Sequence, residues 1–257
     1  IIETLGLVHA AVLFPEFADA DDWYDTAFAR LQSELASQIN PDGSHVEYSM
    51  LYDIGIPTNF FAAVRLAELN GMPAPAGMLE QLEKAYAYFA YMNKPTNELP
   101  QTNDSDLIEG YSLQWTLLPA INLFERTDLL YSAWQGELGT EPAEASAAFR
   151  NAGHFVMRSG WGSPDERYLL IDAGPYGVSH QHEDFFNLEL TAYGKNLLID
   201  PGRYTYQPDA WRAYFLHSRA HNTVTVDGKS QNRLADVTAP NTYVPNVWNV
   251  NGLFDFF

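Results

Sequence analysis

Hydrophobic positions in the first 140 residues recur at helical spacing. Trp23, Ala27, Leu31, Leu35 and Ile39 form one apolar stripe. Asp19, Asp21, Asp22 and Asp25 crowd the end of that segment where a helix dipole favours negative charge. An apolar stretch over residues 1–14 precedes it and stops at Pro15. After a turn at Asn40-Pro41-Asp42-Gly43 comes a polar connection, 44–53. The pattern then predicts helices over 57–69, ending at Asn70-Gly71, over 78–92, and within 113–130, where Pro119 disturbs the run. Paired helices with short polar turns imply an all-α array without a clean repeat. Residues 139–148, with Pro142 and small side chains, read as a linker.

Beyond the linker the period changes. Short β-prone segments at 154–159, 168–172, 188–193, 197–200 and 223–227 alternate with Gly, Pro and Asp turns, and Gly194-Lys195 reads as a tight hairpin. Strands following strands mean an antiparallel sheet or sandwich. The reading is a multidomain α+β chain: a helical region over 1–140, then a β region over 141–257.

Composition narrows the function classes. The 257 residues are 46% hydrophobic and 14% aromatic, enough for one large domain or two of ordinary size. There is no cysteine, which excludes disulfides, thiolate metal sites and cysteine nucleophiles. No apolar run reaches the roughly 18 residues of a membrane span. The net charge of −19 argues against a nucleic-acid partner. The charge is uneven: residues 1–140 hold 20 acids against 5 bases, residues 141–257 hold 13 against 9. An acidic surface of this kind reads first as a solvated one.

Four of the seven histidines lie between 180 and 221. In an extended segment His180 and His182 project to the same side. With Asp200 at a strand end and His221 before another strand, two imidazoles and a carboxylate suit a cation such as zinc and leave room for a fourth ligand. Ordinary polar residues at strand ends are the other reading. The connection 42–53 is longer than a helix–helix turn needs and carries Tyr52, which reads either as a packed surface tyrosine or as a general acid. His9, in an apolar helix, and His154, at a strand start, read as structural. No GxGxxG, P-loop or GxSxG pattern occurs.

Several stretches taken in order resemble the heparinase II/III-type polysaccharide lyases, related to the alginate lyases. They are Phe149-Arg150-Asn151-Ala152-Gly153-His154-Phe155-Val156-Met157-Arg158-Ser159-Gly160-Trp161-Gly162, then 168–174, and His180-Gln181-His182-Glu183-Asp184. Leu198-Ile199-Asp200-Pro201-Gly202-Arg203-Tyr204 and residues 220–228 follow, and Asp42-Gly43-Ser44-His45 with Glu47, Ser49 and Tyr52 is similar to the family's helical-domain loop. The resemblance covers nearly the whole chain. It implies an incomplete α/α toroid followed by an antiparallel β-sandwich, with the active site between them. It implies β-elimination on an acidic, uronate-containing polysaccharide, with Tyr52 as general acid/base and His180 assisting. It also implies His182, Asp200 and His221 as ligands of a mainly structural zinc, Glu47, Arg203 and Tyr204 as substrate contacts, and a periplasmic or secreted bacterial protein.

The family also carries an Asn or Asn-His pair that neutralises the substrate carboxylate. Residues 1–14 do not supply it, and His9 is in the wrong register, so the pair is expected upstream of Ile1. The chain alone is then expected to be weak or inactive, with a sandwich edge left open at its end. The acidic balance points to a less sulfated polymer such as alginate or an exopolysaccharide. Two other readings stand beside this one. One is a non-catalytic carbohydrate-binding or exopolysaccharide-assembly protein on the same fold; the other is a glycoside hydrolase using Glu47 and Asp53.

Overall fold

In the computed structural model, which describes residues 1–231, 248–250 and 255–256, helices come first. They are α1 (Ile2–Leu13), α2 (Ala20–Gln38), α3 (Met50–Leu69), α4 (Met78–Met92), α5 (Gly110–Phe124) and α6 (Thr127–Ala133). Strands β1 (Ala147–Phe149), β2 (His154–Arg158), β3 (Arg167–Asp172), β4 (Asn187–Ala192) and β5 (Lys195–Leu198) follow and pair in chain order as one antiparallel sheet. A short helix α7 (Ala210–Leu216), a 3-10 turn (Ser218–Ala220) and a separate hairpin of β6 (Asn249–Val250) and β7 (Asp255–Phe256) complete the described elements. The expected α+β class, helical hairpins followed by an antiparallel sheet, is the architecture found.

The stripe on α2 buries Ala27, Leu31 and Leu35 against Val8 and Val12 of α1 and Phe60, Ala63 and Val64 of α3. His9 faces outward on α1, exposed, with Nδ1 2.8 Å from the Leu5 carbonyl, so it is not a core histidine. The α1 face that packs is made by Val8, Ala11 and Val12, and His9 lies off it.

Four local expectations are corrected. Helix α3 begins at Met50, seven residues before Pro57, because burial of Met50 and Asp53 outweighs the missing proline N–H. The predicted helix over 113–130 is two helices. The break falls at Glu125, which has φ +54, not at Pro119, which α5 absorbs. Residues 223–227 form no strand; Val226 makes only an isolated bridge to Lys229. There Asn222 bonds the Leu188 and Ile199 carbonyls through its side chain. The β4–β5 turn centres on Tyr193 and Gly194, both at positive φ, one residue earlier than Gly194-Lys195. Gly43 has φ +93, and a Cβ there would lie 2.3 Å from the Lys84 carbonyl oxygen, so the chain entering the 44–49 segment demands glycine.

Strand alternation gives the sheet two covered faces. Val156, Tyr168 and Leu170 join the core of α3–α6, while Phe155, Ile171 and Ala173 face the other way, where Trp248 packs on Phe155 with ring centres 5.6 Å apart. The helix-facing side also carries polar groups, and these dock the C-terminal end of α4. Arg158 of β2 donates to the Asn93 and Tyr91 carbonyls, pairs with Glu166 and lies 4.0 Å from the Trp161 ring centre. The Tyr168 hydroxyl donates to the Met92 carbonyl at 3.2 Å. Buried Lys94 bridges Glu98 at 3.0 Å and Glu189 of β4 at 3.3 Å. His154 Nδ1 lies 2.7 Å from the Tyr88 hydroxyl of α4. Helix C-termini leave carbonyls unpaired; here the sheet's cation and hydroxyl satisfy them.

Replacing Arg158 by Met keeps the volume but leaves Glu166 buried without its partner. We expect destabilisation of about 3–5 kcal/mol, read from the urea midpoint of the intact protein. A midpoint unchanged from wild type would show that this docking is dispensable.

Candidate functional site

The residues singled out by sequence converge where the helical region meets the sheet region. Tyr52 sits in the first turn of α3, and His180 lies in the loop between β3 and β4. Their rings stack with centres 3.9 Å apart and planes 17° from parallel. His180 holds φ +60, a sparsely populated region for a residue with a side chain. Its carbonyl accepts from the Asp104 N–H at 3.1 Å, which helps fix that conformation. His180 Nδ1 lies 3.0 Å from Glu47 Oε2. An ionised carboxylate only accepts, so Nδ1 carries a proton toward Glu47, and in the neutral ring Nε2 keeps its lone pair. The structure therefore places Glu47 as the orienting partner of His180.

The Tyr52 hydroxyl meets the Tyr206 hydroxyl at 2.7 Å. Two guanidiniums pack on the Tyr206 ring, Arg203 4.6 Å and Arg212 5.2 Å from its centre. Arg203 donates through Nε to Asp106 at 2.6 Å and also through Nη2, so its charge is met by a carboxylate. Tyr204 points into solvent and stacks on Phe215 at 4.9 Å. Asp53 is buried and engaged by Tyr88 and His45, away from the solvent-facing Glu47–His180 pair, and does not form with Glu47 the flanking carboxylates a glycoside hydrolase needs.

Behind this pair lies a second cluster. His182 is fully buried, and its Nε2 donates to Asp104 Oδ1 at 2.8 Å, while Nδ1 has no hydrogen-bond partner. Asp104 also accepts from Arg212 at 2.5 and 2.8 Å. Burial by itself would raise the Asp104 carboxyl, but the hydrogen bonds and charges of His182 and Arg212 outweigh it and hold the group below the usual carboxylate range. Ligand atoms of His182, Asp184 and His221 lie within 4.8 Å of one another. Asp200 stands next to this trio: its Oδ2 is 2.6 Å from His221 Nδ1, and it also accepts from Asn187 and from the Gly202 N–H. Burial disfavours the His221 cation, yet the charge and hydrogen bond of Asp200, with Asp184 beyond, push its pKa up to about 9.

These residues fit a divalent cation. The buried His182 Nδ1, without a hydrogen bond, is a donor in waiting, and Asp104 on the opposite ring nitrogen is the usual support of a metal-bound histidine. The carboxylate grouped most closely with the two histidines is Asp184, while Asp200 contacts His221 directly.

Sequence reading passed over Tyr206, Arg212 and the run Thr102-Asn103-Asp104-Ser105. That run is buried between α4 and α5 and links three segments. Thr102 and Asn103 donate to the Tyr48 carbonyl, Ser105 meets Ser49 at 3.0 Å, and Asn103 accepts from the His182 N–H. A stretch of small polar residues without glycine or proline was the available signal.

Two family models cover the chain: Heparinase II/III N-terminus matches residues 1–131, and Heparinase II/III-like, C-terminal, matches 141–243. The heparin-sulfate lyase of Bacteroides stercoris is 28% identical over 250 residues, 93% of this chain and 37% of the relative. That of Bacteroides thetaiotaomicron is 30% identical over 253 residues, 88% of this chain and 36% of the relative. A solved heparinase III superposes with a TM-score of 0.88 at 27% identity, over 98% of this chain and 40% of the other. The heparan sulfate lyase HepC of Pedobacter heparinus gives 0.83 at 26%, over 89% and 37%. The chain spans a little over a third of the length of these curated relatives. With both of its regions matched and its fold shared, the chain belongs to the heparinase II/III family.

Proposed function

We propose that the intact protein is a polysaccharide lyase acting on a uronate-containing polysaccharide by β-elimination, with Tyr52 as general acid/base and His180 assisting. The observation that carries this reading is the stacked Tyr52–His180 pair, 128 positions apart in sequence and brought to 3.9 Å by the meeting of helix and sheet regions. Two proton-transfer groups at one solvent-accessible point suit a reaction that removes a proton and returns one.

In the reaction the C5–H bond of the uronate breaks, its electrons form a C4–C5 double bond, and the C4–O4 bond breaks. Tyr52 as phenolate takes the C5 proton and hands it to the departing O4. His180, held by Glu47, presents its other nitrogen to the same locality. The C5 proton becomes acidic only when positive charge or hydrogen bonds stabilise the carbanion-like state. A zinc ion, bound through His182 Nδ1 with His221 and Asp184 or Asp200, would tie together the loops that carry His180, a structural contribution.

Substrate identity is part of the proposal. The relatives named heparin-sulfate lyase make heparan sulfate the first polymer to offer, and the net charge of −19 makes a less sulfated one such as alginate the second. Incubation of the intact protein with each should raise the ultraviolet absorbance of an unsaturated uronate. Tyr52→Phe should lower that rate by about 10²–10⁴-fold and His180→Ala by about 10²-fold. Binding without any unsaturated product would instead make this a carbohydrate-binding member of the family.

Chelation provides a separate check. A tightly held structural ion contributes about 3 kcal/mol when present at 100 times its dissociation constant. Its removal should lower the melting temperature by about 5–10 °C, reversed by added zinc, and His182→Ala should melt low with or without zinc. Elemental analysis showing no bound metal, with melting indifferent to chelator, would remove the zinc site.

A further inference from the structure

We propose that Tyr206 is a positioning residue for Tyr52: its hydroxyl fixes the Tyr52 hydroxyl and donates the hydrogen bond that stabilises Tyr52 in its unprotonated state. The inference rests on the lyase reading above, in which Tyr52 must lose and regain a proton.

The geometry is specific. Tyr206 lies 154 residues from Tyr52, and the two oxygens are 2.7 Å apart. Tyr206 is 46% exposed, so its hydroxyl could be satisfied by water, yet it is aimed at Tyr52. The aim comes from the ring, held by Arg203 and Arg212. Both arginines are themselves anchored, on Asp106 and Asp104, and Arg212 also donates to the Arg203 carbonyl at 3.3 Å. The His180 ring stands edge-on to Tyr206 with centres 6.2 Å apart, so Tyr52 is bounded by an imidazole face on one side and a phenol on the other.

The chemistry follows from which oxygen keeps its proton. Burial, the hydrogen bond with Tyr52 and the charge of Asp104 all push the Tyr206 phenol up, against a hydrogen bond from Arg203. In the state in which Tyr52 has given up its proton to act as base, the Tyr206 hydroxyl is the donor of the pair. A bond that joins two neutral hydroxyls becomes charge-assisted when Tyr52 is a phenolate, and so favours that state. The charged and titratable groups around the pair are His180 with Glu47 behind it, and Arg203 and Arg212 with Asp106 and Asp104 behind them. The two cations are offset by two carboxylates, which leaves the Tyr206 hydroxyl as the directed contribution.

Tyr206→Phe in the intact protein keeps the ring packed on the arginines and removes only the oxygen. We expect kcat to fall about 10- to 100-fold, with KM within about twofold. The limb of the kcat–pH profile that reports Tyr52 should move alkaline by about one unit, since the phenolate fraction drops about tenfold per unit. The double variant Tyr52→Phe/Tyr206→Phe should be no slower than Tyr52→Phe alone. Independently of any substrate, NMR of ring-labelled tyrosine, with Tyr52 assigned by its loss in Tyr52→Phe, should show its titration moving up by about one unit in Tyr206→Phe. An unmoved titration overturns the proposal whatever the activity. A shifted titration with wild-type kcat overturns its catalytic half. Full activity in Tyr52→Phe would defeat the lyase reading and the role of Tyr206 in catalysis, while the titration would still report the bond.

Discussion

A carboxylate taken out of water must be paired, and in this protein the pairing of Asp104 organises the site. At 1% exposure it has to find donors, and it finds them on separate segments: His182 in the loop after β3, and Arg212 on α7. Its own N–H bonds the His180 carbonyl. One residue thus sets the backbone of the proposed assisting histidine, the ring state of a proposed metal ligand, and the place of a helix that fixes Tyr206. Its neighbours extend the same constraint to Tyr48 and Ser49, immediately before the helix that carries Tyr52.

The larger frame is the docking of α4 onto the sheet. Apolar contact between the regions is ample, with Tyr88, Phe89, Phe149 and Tyr168 in one core, but apolar burial is non-directional. Direction comes from the polar groups. Arg158 and Tyr168 meet the last carbonyls of α4, and Lys94 reaches Glu189 two strands away. Such bonds tolerate little sliding, because a displaced partner leaves a buried charge unmet. The stacked Tyr52–His180 pair, which draws one ring from each region, inherits that accuracy.

The proposed proton-transfer groups and the proposed metal ligands form two neighbouring clusters. Tyr52, His180, Glu47 and Tyr206 are partly open to solvent, while His182, Asp184, Asp200 and His221 are buried. His180 and His182 are only two positions apart, yet the left-handed turn at His180 sends one imidazole outward and the other inward. In an extended strand both would face the same way. A bound cation and the His221 proton would supply the same thing to this pocket, positive charge between Asp184 and Asp200.

The sequence by itself determined the order of helices and strands, because a 3.6-residue stripe and a two-residue alternation are local signals written in consecutive side chains. It also marked Tyr52, His180 and His182, through motifs whose order along the chain resembles one family. Helix starts and breaks were less legible: Pro57 and Pro119 mislead because both sit inside helices whose apolar side chains are buried. Tyr206 stood two residues from a named candidate, Tyr204, but no periodicity in a loop says which aromatic turns inward. Asp104 and Arg212 acquire their meaning only from partners roughly 80 and 110 positions away. Those pairings, the outward and inward histidines, and the hydroxyl contact between Tyr52 and Tyr206 were decided by tertiary structure alone. Hydrogen bonds and buried charges act over a few ångströms in space, a distance that position along the chain does not encode.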